Sequence, residues 1–464
     1  MNVKLAKTEI IHFVGIGGIG MSGLAIIMNG LGFHVQGSDL IESKNTERLK
    51  KLNIKVLIGH KKKNISNSTI VVISSAIKAN NPEYKEAVLR KLPIFKRGEM
   101  LGNIVSLMKN VVVSGSHGKT TTTSLISSIF SMAKLDPTII NGGVLNSYKN
   151  SARLGKSEWC ILESDESDGS FLNIPFIYSI VTNVDKEHLD FYKSIGNLKS
   201  KFIEFINKTP SYGKCFICSD DKINKSIIKK IENKNFFTYG IEKKSNFLIK
   251  NISQTKNFSK FDVQISLPNK KTKYIKNIVI PMIGIHNIRN STAALAVSYI
   301  IGVTDNIILK GLKTFNGVQR RFNYLFKLQG TDFVDDYAHH PTEISSVLEG
   351  VKKVYTEEKI YCIFQPHRVS RLKSLKDEFS KSFSNADYLI LCPIYKAGEN
   401  IKLNFKYEQF AKQIIKNSKV KLIMINNENE LKKYVTQNIY GKNIVIGMGA
   451  GSVSQWMRNL PNKL

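Results

Sequence analysis

The chain has 464 residues, 42% of them hydrophobic, too long for a single core and suited to about three globular domains rather than a disordered or fibrous protein. Its formal charge of +31 comes mostly from scattered lysines, with no arginine-rich helix or aromatic-interleaved basic stripe, so weak adhesion to polyanions is expected and a specific nucleic-acid partner is not. No apolar run reaches membrane-spanning length, and five cysteines, few and odd in number, suit a reducing compartment.

Residues 10–14 predict a strand that enters Gly15-Ile16-Gly17-Gly18-Ile19-Gly20-Met21-Ser22-Gly23 and then an apolar helix reaching Leu31. A strand followed by a glycine turn is not a secretion signal, so the cytoplasm is the expected compartment. Gly15, Gly17 and Gly20 satisfy G-x-G-x-x-G, and Asp39 follows the next strand, 33–36, at the distance of a ribose ligand. Such a turn offers backbone N–H groups and a helix N-terminus to a diphosphate; alone it fits NAD, or any nucleotide diphosphate. Strands at 55–58 and 70–74, alternating with helices, predict a doubly wound parallel sheet running to about residue 108.

A second sheet starts at 110–114 and leads into Gly115-Ser116-His117-Gly118-Lys119-Thr120-Thr121, with a helix over 121–132. An apolar strand, a glycine turn and a Lys–Thr pair at a helix start make a phosphate-binding loop. Backbone N–H groups ring the phosphates, Lys119 supplies a point charge, and the Thr120 hydroxyl reaches magnesium. Val113 stands where the longer form has its first glycine, so this is the short G-x-x-G-K-T form.

The predicted strand 159–163 ends in Glu163-Ser164-Asp165-Glu166-Ser167-Asp168. Carboxylates at the C-terminal edge of a parallel sheet suit a hard divalent cation, Glu163 first; a solvated acidic loop is the other reading. After the strand 178–183 comes His188, with a metal, phosphate or purely structural role. Cys215 and Cys218 lie in an apolar strand, 215–218, with no second pair nearby, and read as core residues rather than a zinc or redox pair. Residues 246–280 alternate lysine and apolar residues and predict β-hairpins. Gly284-Ile285-His286-Asn287-Ile288-Arg289-Asn290 then opens a helix to 301, where Asn287 and Asn290 share a face, either to read an adenine edge or to cap the helix.

From about residue 317, strands at 331–335, 360–364, 388–392, 420–423 and 443–447 alternate with helical stretches in a third α/β unit. Gln319-Arg320-Arg321 precedes Asp335-Asp336-Tyr337-Ala338-His339-His340-Pro341, and Gln365-Pro366-His367-Arg368-Val369-Ser370-Arg371 follows the next strand. Polar clusters at two strand ends suggest a ligand edge; Arg368 and Arg371 either clamp a carboxylate or phosphate, or are merely solvated.

In this order and spacing, these motifs resemble the Mur ligases of peptidoglycan synthesis over nearly the whole chain. The resemblance implies three α/β domains: a Rossmann-like one, 1–108, for the UDP of a sugar nucleotide; a central P-loop ATPase-like parallel sheet with β-hairpin additions, 109–316, for ATP; and a Rossmann-like 317–464 that helps hold the amino acid. Within the family the chain is similar to the alanine-adding members. They are ATP-dependent acid–amino-acid ligases that activate the lactyl carboxylate of UDP-N-acetylmuramate as an acyl phosphate, which L-alanine attacks. By resemblance, Lys119 contacts the transferred phosphoryl group, and Thr120 and Glu163 hold Mg²⁺, with His188 at a second metal. Lys119, His188, Arg320 and Asp336 are the implied catalytic set; Asn287, Asn290, Arg320 (or Arg321) and Asp336 meet ATP. Gly15, Gly17, Gly18, Gly20, Asp39, Ser74, Ser75 and His117 lie along the sugar nucleotide. Tyr337, His339, Arg368 and Arg371 contact substrate or product. The expected protein is a monomer or dimer acting on small molecules, with no membrane partner. The alternatives are a recycling ligase that adds a whole peptide to the same sugar nucleotide, or an NAD-dependent dehydrogenase, which Asp39 supports but the ATP loop does not.

Overall fold

Each predicted strand lies in one of three sheets in a computed structural model, which describes residues 7–461. The outermost ends of the expected domains, 1–6 and 462–464, lie outside the described residues. The first sheet has five parallel strands in the order Lys55–Ile58, His34–Asp39, Ile10–Val14, Ile70–Ile73, Ile94–Lys96. Ile10–Val14 is buried at all but its first position, as a central strand covered on both faces must be. Strand order reverses at this strand, so the turn after it opens into the crevice where such sheets bind ligands.

The second sheet has ten strands. Its order is Lys273–Ile280, Ser259–Ile265, Phe247–Gln254, Phe236–Gly240, Lys214–Cys218, Tyr178–Val181, Lys109–Ser114, Trp159–Glu163, Thr138–Leu145, Asn150–Arg153. Lys109–Ser114 is therefore flanked by the two strands that carry the acidic and histidine motifs. Register pairs Val113 with Glu163 and Ser114 with Val181, which brings all three strand ends to one edge. The expected hairpin additions form the three strands at one end of this sheet. The third sheet has six strands in the order Asn323–Leu328, Thr331–Asp336, Asn443–Met448, Lys359–Phe364, Tyr388–Leu391, Lys421–Met424, with the first antiparallel.

Five strands are absent from the sequence reading: Ile94–Lys96, Thr138–Leu145, Asn150–Arg153, Phe236–Gly240 and Asn323–Leu328. Thr138–Leu145 carries two glycines and Asn150–Arg153 is mostly polar, so neither shows the apolar signature of a strand. All five cysteines are buried and unpaired, and burial pushes the Cys215 thiol up to about 12, in keeping with core residues.

By compactness the chain divides into two units. One takes Met1–Asn251, Phe261–Ile278 and Arg289–Asn316; the other takes Ile252–Lys260, Val279–Ile288 and Gly317–Leu464. In the first, a continuous apolar core runs from Ile11, Leu24 and Met28 of the first sheet and its helix to Leu162, Phe171 and Phe202 of the second. The helix Ile19–Gly30 packs on Asn150–Arg153, which ties the two sheets of this unit together.

Candidate active site

The strand Lys109–Ser114 runs into a turn closed by glycines at two demanding positions. Gly115 has φ +125°, and a Cβ there would sit 2.2 Å from Thr182 Oγ1. Gly118 has φ +84°, and its Cβ would fall 2.7 Å from Asn290 Oδ1. The helix Lys119–Met132 begins at the lysine, two residues earlier than the sequence suggests. The neighbouring strand end shapes the turn: Ser116 N donates to Asn183 O (2.9 Å), His117 N to Asn183 Oδ1 (2.9 Å), and Thr182 Oγ1 to His117 O (2.7 Å). His117 Nε2 lies 3.1 Å from Asp185 Oδ2.

Lys119 is drawn into this turn. Its Nζ donates to Gly115 O (2.5 Å), Ser116 O (3.2 Å) and Glu166 Oε2 (2.8 Å). Burial disfavours the ammonium, but the charges of Glu166, Asp165 and Glu163 outweigh it and hold the group well above the usual lysine range. Beside it, Thr120 Oγ1 donates to Glu163 Oε2 (2.8 Å), which also accepts from Gly142 N (2.7 Å).

His188 belongs to a different group from Glu163. Its Nε2 is 3.9 Å from Glu166 Oε1, and Asp165, Glu166 and His188 bring one ligand atom each within 4.8 Å of one another. Glu166 Oε1 is buried without a hydrogen-bond partner, and burial raises this carboxyl despite Lys119. Glu166 was only one of several acidic candidates in the sequence; its burial against Lys119 separates it from the rest.

In the first sheet, Gly15 N and Ile16 N both donate to Ser38 O (2.9 Å each), and Gly17 N donates to Asp39 Oδ2 (2.8 Å). Asp39 thus closes the glycine turn itself. Ser74 lies against the turn, 3.1 Å from where a Gly15 Cβ would stand, while Ser75 is exposed. Gly18 caps the helix, and Gly20 begins its first turn.

The second unit gathers the other predicted residues. Register sets Asp336 and Phe364 on either side of Met448, so the Asp336, Gln365 and Gly449 turns adjoin. Both Asp336 oxygens accept backbone N–H groups, from Ala338 (2.7 Å) and Phe322 (2.8 Å). Burial nevertheless pushes this carboxyl up to about 6, against the pull of Arg321. The Arg320 and Arg321 guanidinium groups lie 4.7 and 5.3 Å from the Tyr337 ring centre. Arg320 also donates to Gly449 O. A row of rings follows: Tyr337 and His339 edge to face at 5.1 Å, His339 to His367 at 6.0 Å, and His367 stacked on Tyr395 at 5.6 Å. Arg371 Nη1 approaches His367 Nδ1 at 3.5 Å, whereas the Arg368 side chain is exposed. His367 belongs to the same motif as these arginines, and its ring contacts set it beside His339 and Tyr395. Tyr395 follows a strand with no motif of its own.

Asn287 and Asn290 have different surroundings. Asn287 Nδ2 donates to Ile283 O (2.7 Å), so it ties the helix start, while Asn290 lies over Gly118.

Burial pulls His339 down to about 3 and His367 to about 4, from an ordinary 6.5, with Arg371 adding to both. Between those values and 6.5 the unfolded chain binds the extra protons, so stability from these rings is complete above 6.5 and declines as pH falls. In an NMR titration both imidazoles are expected to stay neutral from about pH 8 to about pH 5; a midpoint at the ordinary value for either would contradict this packing.

Three family models match successive stretches of the chain. Residues 10–109 match the "Mur ligase family, catalytic domain", 113–298 the "Mur ligase middle domain", and 320–451 the "Mur ligase, glutamate ligase domain". The chain is 66% identical over 461 residues to the UDP-N-acetylmuramate–L-alanine ligase of Pelagibacter ubique, covering 99% of each chain. Its fold is similar to the crystal structure of the UDP-N-acetylmuramate–alanine ligase from Thermotoga maritima, with TM-score 0.82, 26% identity, and 98% and 99% of the two chains covered. A murein peptide ligase from Psychrobacter arcticus shares the fold at TM-score 0.72, with 21% identity and 98% of each chain covered.

Proposed function

The chain belongs to the Mur ligase family, and from that premise we propose how its residues carry out the reaction. It is an ATP-dependent ligase that adds L-alanine to UDP-N-acetylmuramate in peptidoglycan synthesis. A carboxylate is a poor electrophile, so the lactyl oxygen first attacks the γ-phosphorus of ATP and the bond to ADP breaks. The alanine amine then attacks the acyl carbon, phosphate departs with the bonding pair, and the nitrogen loses its proton to leave an amide.

Little covalent work falls to the protein in such a sequence; it positions groups and balances charge. The observation that carries the reading is Lys119, largely buried within its own phosphate-binding turn and paired with Glu166. An incoming phosphate tail exchanges those carbonyl and carboxylate partners for its own oxygens, and the helix start, Gly118 to Thr121, presents N–H groups to it. We assign Asn287, Asn290, Arg320 and Asp336 to ATP, and Tyr337, His339, Arg368 and Arg371 to the amino acid or product. The turn at 15–20, with Asp39, Ser74, Ser75 and His117, is assigned to the sugar nucleotide. The same reading divides the chain at 1–108, 109–316 and 317–464.

The donor set suits magnesium. Thr120 and Glu163 are hard oxygen donors beside the turn, and Glu166 leaves a buried carboxylate oxygen without a hydrogen-bond partner next to His188. Mg²⁺ held by Thr120 and Glu163, with a second ion at His188, would neutralise phosphate charge. The enzyme is proposed to work in the cytoplasm, as a monomer or dimer, with no specific nucleic-acid or membrane partner. Among the described residues no helix is long and apolar enough to cross a membrane.

Phosphate release measured with UDP-N-acetylmuramate, ATP and a panel of amino acids tests the assignment. Release is expected with L-alanine and to depend on all three substrates. Release driven only by a peptide, with none from alanine, would assign the chain to peptide recycling instead.

A further inference from the structure

Behind the first glycine turn lies a buried polar network that the reaction does not use. Glu83, the second residue of the helix Pro82–Leu89, has no exposed surface. Its Oε2 accepts from Ser38 Oγ (2.5 Å) and lies 3.3 Å from both His12 Nε2 and His60 Nδ1. Its Oε1 accepts from Asn64 Nδ2 (2.5 Å) and Lys61 N (3.2 Å). The Gln36 amide, which donates to Asn64 O (3.2 Å), lies 3.4 Å from His12 Nδ1. Burial works against this carboxylate, yet the hydrogen bonds from His12, Ser38 and Asn64 outweigh it and hold the group down at about 2. One side chain thus joins strand Ile10–Val14, strand His34–Asp39, the turn after Lys55–Ile58 and a helix.

Its reach toward the ligand passes through residue 38. The Ser38 hydroxyl bonds Glu83, while the Ser38 carbonyl holds Gly15 N and Ile16 N and the adjacent Asp39 holds Gly17 N. Three successive N–H groups of the turn therefore take their places from the end of one strand, and that end is anchored by Glu83. Polar networks of this kind, hydrogen-bonded around a fully buried carboxylate, specify one geometry.

We propose that Glu83 is a positioning residue for nucleotide-sugar binding, setting the 15–20 turn through Ser38. The proposal rests on the reading of that turn as the diphosphate site.

Steady-state kinetics on the full-length enzyme test it, with Glu83→Gln, Ser38→Ala and the double variant. Each single change is expected to raise KM for UDP-N-acetylmuramate about tenfold, with kcat and the KM values for ATP and L-alanine within about twofold. The double variant is expected to be no worse than either single one, because both break one chain of contacts. An unchanged KM for the sugar nucleotide, a parallel loss in all parameters, or simple additivity would overturn the proposal. Ser38→Ala removes one hydroxyl and decides the matter alone should Glu83→Gln not fold. Gly18→Val separates the proposal from the reading beneath it. Gly18 has φ −59° and ψ 143°, and a Cβ there meets nothing nearer than Gly15 O at 3.5 Å, so valine fits the backbone. If Gly18→Val leaves that KM unaltered, the turn is not the diphosphate site; if Gly18→Val raises it and the other two variants do not, the proposal alone fails.

Discussion

Replacing Lys119 with alanine is expected to lower kcat for phosphate release by at least about 10³-fold, with a much smaller change in KM for L-alanine. The expectation follows from where the ammonium sits. It is the cation inside the 115–120 turn, bonded to two of that turn's carbonyls and to Glu166. Its charge counts most when negative charge moves from the γ-phosphate to the ADP leaving group, so its loss falls on the transition state. The variant also leaves Glu166 buried without its cation, and some loss of stability should accompany the kinetic loss. Lys119→Arg keeps the charge on a longer, planar group and is expected to recover little of the rate. Ordinary turnover by the alanine variant, in protein with native thermal unfolding, would remove the turn from the mechanism.

Glu163→Ala is expected to raise the magnesium concentration for half-maximal rate more than about tenfold. Glu163 ends the strand next to the phosphate-binding turn, and one of its oxygens already accepts from Thr120 and Gly142. The variant therefore loses a hard donor and also the tie that orients the Thr120 hydroxyl. Glu163→Gln keeps an acceptor for both N–H and O–H but loses the charge, so its metal titration should fall between wild type and alanine. A magnesium titration identical in all three proteins would take Glu163 out of the metal site and leave Asp165, Glu166 and His188 as the group to test.

The parts of this protein that could be read without its fold are those carried by contiguous residues. The 15–20 and 115–120 turns are legible because glycine spacing between an apolar strand and a helix start marks a tight turn at a strand end. The motifs around Asp336 and Arg371 were visible for a similar reason, since each follows an apolar strand directly. Polar or glycine-bearing strands such as Asn150–Arg153 and Thr138–Leu145 carry no such signature, because neighbouring elements, not their own pattern, keep them extended.

Sequence by itself determined the class of fold and the two glycine turns that each join a strand to a helix, because each is a local rule about backbone and side chain. Tertiary structure alone decided that Glu166 partners Lys119, that His188 joins Asp165 and Glu166 rather than Glu163, and that Glu83 gathers His12, Ser38, His60 and Asn64. Those pairings span different strands and helices. They depend on strand order and on which side chains burial leaves no water to satisfy, and neither property is written in any short stretch of chain.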